Sequence, residues 1–209
     1  MTTNYLSMTV PDLLDAFASN EPVPGGGSAA ALAGATGASL LIMVAGLSKT
    51  RTGAPEEAAD LAEASARLRP LRDTLASLVQ QDSDAYGAVL DARRRPSATD
   101  SDRQLRRAAI ETAMREATEV PLDTMRCCQQ ALRGSLTVAA NGGRQADTDT
   151  ATGIELLRAA LRSAGLNVDV NLGALSDASF AARVAEERRE LAEEGEADAR
   201  RALEMLNRP

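Results

Sequence analysis

The stretch 24-PGGGSAAALAGATGASLLIMV-44 decides the fold. Three glycines open it, and no charged residue occurs between Gly25 and Ser48. Three readings compete: a phosphate cradle, a membrane span and a helix buried inside the protein. A phosphate-binding loop needs G-x-x-x-x-G-K-[ST], and no lysine follows in place. A dinucleotide fingerprint needs G-x-G-x-x-G after a strand, and no strand pattern precedes this run. The length matches a membrane span. Yet Gly, Ala, Ser and Thr dominate it, and strong hydrophobicity is confined to 40-LLIMV-44. A helix apolar all round also suits the centre of a globular bundle. We take that reading, and with it no membrane.

The rest of the composition agrees. A chain of 209 residues fits one domain spanning 1–209. Aromatic residues make up 2%, with no Trp, so Leu, Val, Met and Ala must build the core through close helix packing. The net charge of −7 argues against a nucleic-acid partner, which would need a basic footprint. The arginine runs at 93–95 and 106–107 are the exceptions. A solvated helix end explains them best, with capture of an anionic ligand tail as the weaker reading. Cys127 and Cys128 are adjacent, so no disulfide framework is expected. Two cysteines and no His leave no metal site in prospect and exclude Ser-His and Cys-His catalysis. The first residues show no secretory signal, and with unpaired cysteines that points to the cytoplasm.

Along the chain, Thr9 with Pro11 and Asp12 predicts a helix start, and that helix stops near Ser19-Asn20. After the glycine-rich helix, a long helix is predicted from Pro55 to about Arg94, kinked or divided at Pro70. The loop 96-PSATDSD-102 ends it, and another helix runs from about Arg103 to Arg133 with Pro121 as a break or kink. The segment 141-NGGRQADTDT-150 reads as a loop, with a helix from near Thr150 to Ser163. Thr152 and Glu155 suggest a capping box, and Gly165 a C-terminal stop. The piece 166-LNVDVNLGAL-175 is the only strand-like one, and Ser176-Asp177 cap a last helix reaching about Leu206. The fold class is all-α: an antiparallel bundle of five to seven helices around a buried small-residue helix.

Chemistry is expected first in 78-LVQQDSDAYGAVL-90. The apolar stripe Leu71, Leu75, Leu78 continues to Asp82, with Tyr86 one turn on. A carboxylate on such a stripe is costly unless paired or functional. Catalysis and helix capping or ion pairing are equal readings of it. In 141–150, helix capping outweighs an anion site at the helix start. At Asn167 and Asn171, an ordinary turn outweighs recognition of a heterocycle edge.

Taken together, PGGGS opening a small-residue helix, Asp82 in D-x-x-A-Y, Pro121-Leu122, and Asn167-Val168-x-x-Asn171-Leu172 resemble the cyclodeaminase/cyclohydrolase family of folate enzymes. That family includes the C-terminal domain of formiminotransferase-cyclodeaminase and stand-alone bacterial methenyltetrahydrofolate cyclohydrolases. The resemblance covers nearly the whole chain. It implies an all-α homodimer that binds a tetrahydrofolate derivative, with one glutamate or several, and no cofactor beyond that substrate. It implies Asp82 as the catalytic carboxylate. It implies Gly25, Gly26, Gly27 and Ser28 as substrate-loop residues. For such a substrate, Thr148, Asp149, Asn167 and Asn171 are the candidates for holding the pterin or the attacking water, Tyr86 is the candidate for orienting Asp82, and an arginine or the 25-GGG-27 helix end is the candidate for the anionic glutamate tail. The expected reaction is hydrolysis of 5,10-methenyltetrahydrofolate. The alternatives are formation of that compound from 5-formiminotetrahydrofolate, and folate binding without catalysis. The sequence departs from the family in one place. Gly142-Gly143 stands where Gly-Asn is usual, before Thr148-Asp149 in place of Ser-Asp.

Overall fold

A computed structural model describes residues 4–207. Among them are six α-helices, joined by short connections: α1 (Val10–Ala18), α2 (Gly26–Ala45), α3 (Pro55–Arg94), α4 (Asp100–Asn141), α5 (Asp147–Leu172) and α6 (Ala178–Leu206). The β-pairing found there is one isolated bridge between Thr50 and Gly142.

The glycine-rich stretch is α2, and it sits at the centre. It runs antiparallel to α3 and α5 and also touches α4. Its small residues are what make this possible. A Cβ at Gly34 would meet Cys128 of α4, Leu75 of α3 and Ala160 of α5, all within 3.4 Å. At Gly37, a Cβ would lie 2.7 Å from the Gly153 carbonyl of α5. The α2–α5 crossing is therefore backbone against backbone. Around it Leu41, Leu75, Leu78, Leu122, Met125, Ile154, Leu157 and Leu161 are fully buried. α2 is long and apolar enough to cross a membrane by length and composition; most of it packs on α3, α4 and α5, while Ala29, Thr36 and Met43 along one face are exposed. α6 closes the outside of α4 and α5 through ion pairs such as Arg126–Glu187 and Arg158–Glu196.

The helix starts at Thr9 and Asp177 lie where the sequence predicts. Thr9 accepts the Asp12 N–H, and Asp177 accepts those of Ser179 and Phe180. Other boundaries differ. Thr99 and Asp102 form a reciprocal capping box, so α4 starts at Asp100, inside the predicted loop. α4 continues past Arg133 to Asn141, and α5 begins at Asp147 rather than Thr150. Thr152 lies inside α5 and donates to the Thr148 carbonyl, so it forms no capping box with Glu155. No side chain caps α5; Asp147 instead pairs with Arg51 at 2.8 Å.

Two corrections matter for the site. Residues 166–172 are helix, not strand, and Gly165 does not end α5. Leu157, Leu161, Ala164 and Val168 are buried at helical spacing, so burial carries the helix through the glycine. A Cβ at Gly165 would press on the Arg188 guanidinium, so the glycine there serves packing. Nor do Pro70 and Pro121 divide their helices: α3 and α4 run 40 and 42 residues through them.

These close crossings separate two kinds of glycine. Gly37→Ala is expected to destabilise by about 1–3 kcal/mol, because the new methyl overpacks a backbone contact. Gly87→Ala, with nothing within 4 Å of its Cβ position, should gain up to about 1 kcal/mol from helix propensity. Thermal melts of the two variants would show opposite shifts.

Candidate active site

The site lies where the N-terminus of α2, the second half of α3, the first half of α4 and the C-terminus of α5 converge. The cavity there has a volume of about 340 Å³. Its walls include Gly25, Gly26, Gly27, Asp82, Tyr86, Asn167 and Asn171. Seven of the ten residues named from sequence thus share one wall system.

Asp82 is the only acid on that wall. Its Oδ2 accepts the backbone N–H of Ser28 at 2.8 Å and the Ser28 hydroxyl at 2.9 Å. Ser28 is the third residue of α2, so Asp82 caps that helix from α3. Of the sequence readings of Asp82, helix capping is the one these hydrogen bonds show. One oxygen caps α2, and Oδ1 has no hydrogen-bond partner among the described residues. Gly27 lets the carboxylate come this close: a Cβ there would lie 2.6 Å from Asp82 Cγ. The Gly26 and Gly27 N–H groups also lack acceptors among the described residues, as the first turn of a helix leaves them. Both glycines line the cavity together with Asp82.

Burial pushes the Asp82 carboxyl above its ordinary range, against the two Ser28 hydrogen bonds, which pull it down. A carboxyl whose ionised form is disfavoured by burial is a better proton acceptor than an exposed one.

Ser28 is itself fully buried and forms no part of the cavity wall. Its role is to hold Asp82, the task expected of Tyr86. Tyr86 is 42% exposed, off the buried stripe, with no hydrogen bond to Asp82 among the described residues.

Asn171 does more than line the wall. Its Nδ2 donates to the Ala117 carbonyl of α4 at 2.7 Å. Ala117 is four residues before Pro121, which has no N–H to give it. The α5 side chain thus replaces the hydrogen bond that the α4 proline removes. Asn167 donates to the Ser163 carbonyl within α5, leaving its Oδ1 for the cavity. Sequence reasoning names both asparagines and Pro121, but not the link. The signal was there: an interior helix proline orphans the carbonyl four residues earlier.

Thr148 and Asp149 do not join this site. They lie in the first turn of α5, about 28 Å from Asn167 along the helix axis at 1.5 Å per residue. The Gly143 departure is at that same far end, where a Cβ would lie 2.6 Å from the Lys49 carbonyl. The close turn explains the glycine. Arg93, Val89 and Met114 also line the cavity, and sequence reasoning gave them no individual role. Among the described residues, no three Cys, Asp or Glu side chains converge to hold a metal ion. The polar groups present include one carboxylate as acceptor, two amides and the free N–H groups of a helix start, a set suited to hydrogen-bonding a polar heterocycle.

An all-helical bundle with a lone carboxylate set against a glycine-rich helix start is the class this fold and site define. The chain belongs to the formiminotransferase-cyclodeaminase family, whose pattern residues 9–190 match. It is 38% identical over 173 residues to the methenyltetrahydrofolate cyclohydrolase of Methylorubrum extorquens, covering 83% of each chain. It is 30% identical over 186 residues to the formimidoyltransferase-cyclodeaminase of Gallus gallus, covering 88% of this chain but 34% of that protein. The crystal structure of formiminotetrahydrofolate cyclodeaminase from Thermotoga maritima superposes with a TM-score of 0.86 over 97% of this chain and 98% of that one, at 24% identity. That likeness shows the fold.

Two expectations follow from the geometry. Asp82→Asn keeps an oxygen for Ser28 and removes a charge that burial disfavours. Because the folded pKa is raised, the ionised side chain costs stability above that pKa and none well below it. Asp82→Asn should therefore be at least as stable as the wild type at pH 7, with the difference shrinking on acidification. Asp82→Ala loses the cap and should cost about 1 kcal/mol. Denaturant unfolding at pH 7 and pH 4 checks both. Separately, Asn171→Leu should destabilise by about 1–3 kcal/mol by orphaning the Ala117 carbonyl. In a Pro121→Ala background, where a backbone N–H returns, most of that loss should vanish in a double-mutant cycle.

Proposed function

We propose that the protein is a methenyltetrahydrofolate cyclohydrolase, converting 5,10-methenyltetrahydrofolate and water to 10-formyltetrahydrofolate. The observation that carries this reading is the 38% identity to the Methylorubrum extorquens cyclohydrolase along most of both chains. The chain spans only about a third of the formimidoyltransferase-cyclodeaminase from Gallus gallus.

The substrate carries a delocalised cation on the carbon between N5 and N10. In this reading that carbon rests near Asp82 Oδ1. The carboxylate opposes the positive charge and accepts a proton as water adds to the carbon. The same proton passes to N5 as the C–N5 bond breaks. The second water proton leaves the new hydroxyl for solvent as the formyl C=O forms. Ser28 keeps Oδ2 fixed, so Oδ1 stays aimed through both transfers. The free N–H groups of Gly26 and Gly27 and the oxygen of Asn167 are the groups that hold the pterin. The reading includes a homodimer: Leu166 and Val170 on α5 are 64% and 75% exposed, an apolar surface that runs up to the cavity rim, where Val170 is part of the wall.

The family match favours a second reading, in which the chain forms the methenyl compound from 5-formiminotetrahydrofolate with loss of ammonia. Its tetrahedral carbon sits between the same two nitrogens, so the same carboxylate would serve. Purified protein given each substrate separates the two, because the near-ultraviolet absorbance of the methenyl compound falls in one reaction and grows in the other. Asp82→Asn should reduce turnover by at least about 10²–10⁴-fold, the worth of a positioned acid–base group. Near-wild-type turnover by that variant would sink the assignment of Asp82.

A further inference from the structure

The cavity is graded in chemistry from one end to the other. Its polar end holds the α2 start and Asp82. Val89, Met114 and Val170 give it an apolar middle. Beyond them stands Arg93, the one cation on the wall.

Several observations set Arg93 apart. It makes no ion pair among the described residues, whereas its neighbour Arg94 pairs with Asp91 at 3.3 Å. Its backbone is pinned, because the Arg93 carbonyl accepts Arg106 Nε from α4 at 2.9 Å. Beneath it, Val89, Ala92, Ala113 and Met114 form a small core of their own, which makes the α3–α4 tip a packed extension. The tip is also cationic: residues 91–107 hold six arginines against three aspartates, in a chain of net charge −7. Eleven residues of helix separate Asp82 from Arg93, about 16 Å of rise. An arginine side chain can cover part of that span, and what remains suits an arene, an amide and a short acid.

We propose that Arg93 binds the glutamate carboxylates of the substrate and sets its specificity for a ligand with an anionic tail. This rests on the folate reading above. With the reacting carbon at Asp82, the aminobenzoyl ring lies along Val89, Met114 and Val170, and the glutamate emerges at the arginine. Arginine suits the task because its planar guanidinium donates two parallel hydrogen bonds to one carboxylate. Its role is binding, so its removal should spare the chemical step.

The test compares Arg93→Gln with the wild type on two substrates: 5,10-methenyltetrahydrofolate, and the methenyl derivative of tetrahydropteroate, which lacks the glutamate. At low ionic strength the variant's KM for the first should rise roughly five- to twentyfold with kcat unchanged, the range for a charge-assisted contact at a partly exposed site. The rise should fade at high salt. The tail-less substrate should not distinguish the two proteins, and Arg94→Gln should behave as wild type. An unchanged KM at low salt, or an equal rise on the tail-less substrate, overturns the assignment of Arg93 while leaving the cyclohydrolase reading intact. Calorimetry with 5-formyltetrahydrofolate supplies a readout free of turnover. A wild type that neither binds this compound nor turns over either substrate overturns the folate reading and this inference with it.

Discussion

The hydrogen bonds from Ser28 to Asp82 Oδ2 are the constraint on which the rest of the site depends. They join the first turn of α2 to the middle of α3, and they do so with the group best placed for chemistry. The arrangement allows little freedom. A side chain at Gly27 would displace the carboxylate, and Ser28 is fully buried where it donates to it. A helix start needs an acceptor for its free N–H groups, and a buried carboxylate needs donors. Each supplies what the other lacks, and one oxygen is left over for the cavity.

That junction holds because α2 is nearly all small residues. Its crossing with α5 brings Gly37 and Gly153 into backbone contact, while Gly34 faces three helices. Tight crossings fix where the helix ends fall, and the cavity lies where the start of α2 and the end of α5 meet the flanks of α3 and α4. The opposite wall is set by Pro121 and Asn171. The proline opens a gap in the hydrogen bonding of α4, and the asparagine of α5 fills it. A residue that would break an isolated helix becomes the attachment point between two.

The gap between sequence and structure has identifiable causes. Asp82 was legible because it breaks an apolar stripe, and an irregularity in a strong pattern is easy to see. Tyr86 lines the cavity with Asp82 but makes no hydrogen bond to it, because Ala85 and Val89 take the buried face that its spacing claimed. Residues 166–172 looked like a strand because asparagine and β-branched residues weaken local helix preference, whereas burial of Val168 outweighs that preference. Thr148 and Asp149 entered through the family resemblance, and a continuous 26-residue α5 carries them to the far end of the same helix from Asn167 and Asn171.

By itself the sequence determined the all-helical class, the burial of the glycine-rich helix, the helix starts at Thr9 and Asp177, and the identity of the one carboxylate in the cavity. Those are properties of periodicity, composition and local capping, which act within a few residues along the chain. Only the tertiary structure decided what Asp82 touches, why Pro121 is tolerated, where α5 ends and which residues meet across the cavity. The reason is that these are contacts between helices. They depend on crossing distances set by the absence of Cβ atoms at Gly27, Gly34 and Gly37, and a linear pattern records a missing side chain without saying what comes to lie against it.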